Sequence, residues 1–176
     1  MTSRAMHHTV ATILLVASTA VTGMVSGALG CGPSEAHSAN PMRPIDEGRA
    51  VRIIAQALSD DGQQGTVPRT MTLAGGTSVT LDVPVSRRRI GIIYLTDSDV
   101  LALGNDRLAT RPETSELTVR QGDGPDAGMH VVILYASDYA YDDNAGTDRN
   151  ATSITAERKL TRDVRDFLII ARKNHW

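Results

Sequence analysis

The sequence predicts one α+β (or α/β) domain over residues 45–176, a mixed sheet of about five strands with two to three helices packed on it. Three observations predict it. Two nearly continuous apolar runs, Arg89–Leu95 (RIGIIYL) and His130–Tyr135 (HVVILY), read as strands buried on both faces. Leu160, Val164, Phe167, Leu168 and Ala171 form an apolar stripe at helical spacing within the charged segment Ser153–Lys173. The stretch from Ile45 onward is about 130 residues long, the usual size of one domain.

The elements follow in order. Ala50, Val51, Ile54, Ala57 and Leu58 share one helical face, so a first helix is expected from about Ile45 to Leu58, with Asp46 and Glu47 in its first turn. Ser59–Gly65 (SDDGQQG) ends it. Arg69–Leu73 and Ser78–Val83 alternate polar with apolar residues around Gly75-Gly76, the pattern of a hairpin. The two apolar runs then enclose a short helix, capped by Asp97 or Ser98 and ended by Gly104, and an edge-like strand, Glu116–Val119. Gln121–Gly128 is turn-rich. In the last helix Arg172 and Lys173 sit at the C-terminal end, where the helix dipole favours cations. The resulting order is α-β-β-β-α-β-β-α, with the two apolar runs as neighbours in the core.

Composition narrows the function. The chain has 18 Lys and Arg against 20 Asp and Glu, so it has no basic excess to hold phosphate backbones, and nucleic acid is not an expected partner. One Trp and one Phe leave few flat surfaces on which sugars or bases would stack. A single cysteine excludes an internal disulfide, a CxxC redox pair and a Cys-rich zinc site.

That cysteine follows an export pattern. Residues 1–8 (MTSRAMHH) carry Arg4, and Thr9–Val25 is apolar with Thr, Ser and Gly interspersed, which reads as the charged and apolar regions of a signal peptide and is short for a membrane-spanning helix. Ala28-Leu29-Gly30-Cys31 resembles the lipobox of bacterial lipoproteins: Gly30 and Cys31 match, Ala28 stands where Leu is usual and Leu29 where a small residue is usual. Ala28 and Gly30 also meet the small-x-small rule of ordinary signal peptidase, which would cut the same bond.

The resemblance implies a cleaved signal peptide over 1–30, a diacylglycerol thioether on Cys31, a lipidated flexible tether over 31–44, and partnership with a membrane through those acyl chains. The family's inner-membrane retention signal is an Asp after the cysteine. Gly32 stands there, which implies export to the outer membrane, facing the periplasm or the cell surface.

Few other residues suggest chemistry. Asp138, Asp142, Asp143 and Asp148 fall in one loop after an apolar strand, and hard cations such as calcium take oxygen ligands from such groups. They lack EF-hand spacing, which favours an ordinary solvated turn over a cation site or a partner contact through Tyr139 and Tyr141. His130 could pair with Asp138 or Asp142 as an acid–base couple. Arg87-Arg88-Arg89 reads as a solvated turn or as a contact with anionic head groups. No Gly-x-Ser-x-Gly elbow, His-Glu-x-x-His pair or phosphate loop is present, and no catalytic residue or cofactor is implied. The expected function is a non-catalytic binding or structural module of the cell envelope. The alternative is a small envelope hydrolase or cation-dependent enzyme using the 138–148 loop.

Overall fold

The computed structural model describes residues 42–104, 108, 116–142 and 152–176. All of these lie within one compact unit, Ser38–Trp176. The order is β1 (Arg43–Pro44), α1 (Glu47–Asp60), β2 (Arg69–Thr72), β3 (Ser78–Leu81), β4 (Val83–Pro84), β5 (Ile90–Leu95), α2 (Asp97–Leu103), β6 (Thr118–Gln121), β7 (His130–Tyr135), β8 (Ala140–Tyr141) and α3 (Ser153–Lys173). Short 3₁₀ turns occupy Gly124–Asp126 and Ala136–Tyr139. The fold is α+β.

The two apolar runs become β5 and β7, which pair in parallel with Ile92 opposite Val132 and Ile93 opposite Ile133. They are the middle strands of a four-stranded mixed sheet, β4-β5-β7-β6, whose edges run antiparallel to them. Both faces of the pair are covered. Ile92, Tyr94, Val132 and Leu134 pack with α1 and α3, through Ile54, Leu58, Leu160, Val164 and Phe167. Ile93, Leu95, Val131 and Ile133 pack on the opposite face with Met71, Leu73, Val79 and Leu81.

The expected mixed sheet is present with four strands, and its second face is covered by a separate hairpin. β2 and β3 form their own antiparallel ladder, Met71 opposite Val79, instead of joining the central sheet. Strands without a polar face need an apolar cover on each side, and the hairpin supplies it where α1 and α3 do not reach. The approach is close. A Cβ on Gly91 would lie 2.7 Å from Leu81 Cδ1, so any larger residue would force the Leu81 side chain to shift where the hairpin settles on β5.

Helix starts follow their caps. Asp46 lies before α1 and accepts from the Arg49 N–H at 2.9 Å, so the helix begins two residues later than Ile45, which is buried. Thr96, not Asp97 or Ser98, caps α2 in a reciprocal capping box with Asp99. Thr152 caps α3. Arg43 and Pro44, at the end of the expected tether, pair with Tyr141 and Ala140 and so belong to the fold. Among the described residues no helix is long and apolar enough to cross a membrane.

Candidate functional site

Leu81 to Val85 are five consecutive buried residues, and Asp82 among them is the one charged residue in the domain's described interior, 7% exposed. Its place follows from how the hairpin joins the sheet. β4 is only two residues long and pairs Val83 with Ile92, so backbone pairing stops before it reaches Tyr94. The Tyr94 N–H would be left without an acceptor there. Asp82 supplies one: Oδ2 accepts from that N–H at 2.7 Å.

Asp82 also lines a cleft of about 270 Å³, between the hairpin, the carboxyl end of β5, α2 and the start of α1. Val79, Ile93, Leu95 and Leu103 give the cleft apolar walls. Glu47 and Asp99, both exposed, add carboxylates at its edge, and among the described residues no Lys or Arg lines it. Asp99 is already engaged by Thr96, whose N–H it accepts at 2.9 Å. Burial pushes the Asp82 carboxyl up to about 6; the Tyr94 N–H pulls it back, and the charges of Glu47 and Asp99 add to the rise. No cation of the described protein pairs with Asp82.

Tyr94 braces this side of the domain. Its hydroxyl donates to the Ile45 carbonyl at 2.8 Å, and its ring stacks on Tyr139 with centroids 6.1 Å apart. The Tyr139 hydroxyl donates to Asp163 of α3 at 3.0 Å. Burial raises both phenols above the ordinary tyrosine value, and Asp163 adds to the rise at Tyr139.

The residues singled out from the sequence do not converge. Cys31, Asp143 and Asp148 lie outside the described residues. Asp138 sits in the 3₁₀ turn after β7, where its backbone carbonyl accepts from Lys159, and Asp142 follows β8. His130 starts β7 while Asp138 and Asp142 follow its other end, about 17 Å away along the strand, so the expected acid–base couple is not formed. His130 stacks instead on Trp176, centroids 4.0 Å apart. Tyr139 and Tyr141 are core residues, 2% and 5% exposed, and present no surface to a partner. Among the described residues no group of three or more His, Cys, Asp or Glu side chains could hold a metal ion. Sequence reasoning missed Asp82, which falls on the polar phase of the alternating strand Ser78–Val83.

No family model matches the chain, and neither a curated protein nor a solved structure matches it.

Proposed function

We propose that the chain is an exported envelope lipoprotein, held at a membrane by acyl chains on Cys31, whose domain is a non-catalytic binding module for a small cationic ligand. The lipobox-like residues before Cys31 support the anchor. One observation carries the binding reading: Asp82 is buried at a cleft and, among the described residues, has no cation beside it. An ionised carboxylate in such a place loses hydration that the Tyr94 N–H replaces only in part. An ammonium group entering the cleft would restore the lost interaction, while Val79, Ile93, Leu95 and Leu103 take the hydrocarbon part of the ligand. A volume of about 270 Å³ admits only a small molecule.

Titrating the full chain with n-butylammonium and, separately, with 1-butanol tests this. The amine binds and the alcohol does not; affinity falls below pH 6 as Asp82 takes up its proton, and Asp82→Asn removes it. Equal binding of both probes, or amine binding untouched by the substitution, refutes the reading. Mass spectrometry of the mature N-terminus tests the anchor, and an unmodified Cys31 defeats it.

A second reading rests on the same carboxyl, because a group titrating near 6 is suited to proton transfer at neutral pH. It predicts turnover whose rate follows the ionisation of Asp82, where the binding module predicts none.

A further inference from the structure

The turn joining β4 to β5 carries Arg87, Arg88 and Arg89 in succession, at the end of β5 opposite the acidic cleft and about 17 Å from it along the strand. Its backbone is fixed from three sides. Val85 N–H donates to Ile90 O at 3.1 Å and closes the turn, Ser86 N–H donates to Gln64 O at 2.7 Å, and Arg89 O accepts from His130 N–H at 2.8 Å. Arg87 takes a left-handed backbone conformation, φ 60°, at the tip. Three cationic side chains thus spring from consecutive positions of a backbone fixed by hydrogen bonds.

Among the described residues these guanidiniums have no carboxylate partner. Arg49, Arg69, Arg165 and Arg172 each pair with an acidic side chain, whereas no carboxylate of the described residues pairs with Arg87, Arg88 or Arg89. They line a second cleft, of about 350 Å³, together with Arg69, Thr66 and Asp126. Burial alone would raise the Asp126 carboxyl, but the hydrogen bonds from Arg69 and the Thr72 N–H outweigh it and hold the group below its ordinary value. Asp126 therefore stays ionised and neutralises Arg69, and no other carboxylate of the described residues opposes the positive charge of the turn. A compact, doubly charged oxyanion is the complement of such a site, because each planar guanidinium presents paired N–H donors to two oxygens at once.

We infer that the Arg87–Arg89 turn is a phosphate-binding site, independent of the cleft at Asp82. The phosphate group comes either from a small soluble phosphoester or from a lipid headgroup. Both sources are tested with the full-length Cys31→Ser chain, which has no lipid attachment of its own, and with the same chain carrying Arg87→Gln, Arg88→Gln and Arg89→Gln.

In the first arm, inorganic phosphate replaces chloride at constant ionic strength and the melting temperature is followed. In the second, the chains are sedimented with phosphatidylcholine vesicles with and without phosphatidylglycerol. A phosphate-specific rise in melting temperature that the triple variant loses establishes the site with a soluble source. No such rise, but binding to the anionic vesicles at least tenfold weaker in the triple variant, establishes it with a lipid source. No response in either arm, an equal response in chloride, or a triple variant that responds like its parent overturns the inference. Arg88→Gln alone, with a melting temperature equal to its parent's in chloride, serves where the triple variant does not fold.

Discussion

Replacing Asp82 by Asn tests the physical origin of the cleft's chemistry. The carboxyl is 7% exposed and sits at about 6 against an ordinary 3.8. At about 1.4 kcal/mol for each factor of ten, that difference amounts to about 3 kcal/mol. The sign follows from where the proton binds more tightly. Because the folded value is the raised one, Asp82 favours folding below about pH 4, and this contribution disappears as the pH climbs through about 6. Asparagine has the same shape, keeps an acceptor for the Tyr94 N–H and is neutral throughout.

The stability of Asp82→Asn relative to the parent is therefore near zero at pH 4 and reaches a gain of up to about 3 kcal/mol by pH 8, a large step for a domain whose total is about 5–15 kcal/mol. Urea denaturation of both chains at a series of pH values measures it, and the other carboxylates cancel in the difference. A difference within about 0.5 kcal/mol across the whole range, or a variant less stable than its parent at pH 8, refutes the argument.

Leu134→Ala removes a side chain 2% exposed at the centre of the helix-facing core, and costs about 2–5 kcal/mol in reversible denaturation. Gly91→Ala forces a methyl against Leu81 and destabilises by about 1–3 kcal/mol, and the same substitution costs less in a Leu81→Ala background, read by a double-mutant cycle in urea. Millimolar calcium leaves the melting temperature of the full chain unchanged; a rise that Asp142→Asn with Asp143→Asn abolishes would instead reveal a cation site in the loop after β8.

Long, strongly patterned segments were legible in the sequence, and short or tertiary ones were not. His130–Tyr135 and Ser153–Lys173 match their expected bounds because an unbroken apolar run and a five-residue stripe each leave one way to be buried. The arginine run is a turn, as its place between two strands implied. β1, β4 and β8 are two residues each, too short to carry any periodicity. The hairpin's strands were visible, but whether it joined the sheet's edge or lay across its face depended on the unmet second face of β5 and β7. Asp82 was hidden by alternation: between Leu81 and Val83 it occupies the outward position of a hairpin strand, and only the chain's passage from hairpin to central sheet buries it. The loop of aspartates attracted notice by composition, yet composition says nothing of convergence, and His130 proved to be at the wrong end of its strand.

The stacked tyrosines set a limit of a different kind. Tyr94 and Tyr139 are each tied through their hydroxyls, one to the lead-in of α1 and the other to α3, so both phenols must stay protonated for the two helices to keep their places. In the unfolded chain they would ionise near pH 10, well before they do when buried. Rising alkalinity thus draws the domain toward the open chain, in which phenolate can form. Base denaturation and the ultraviolet signature of phenolate from these two rings should appear together, as one cooperative event.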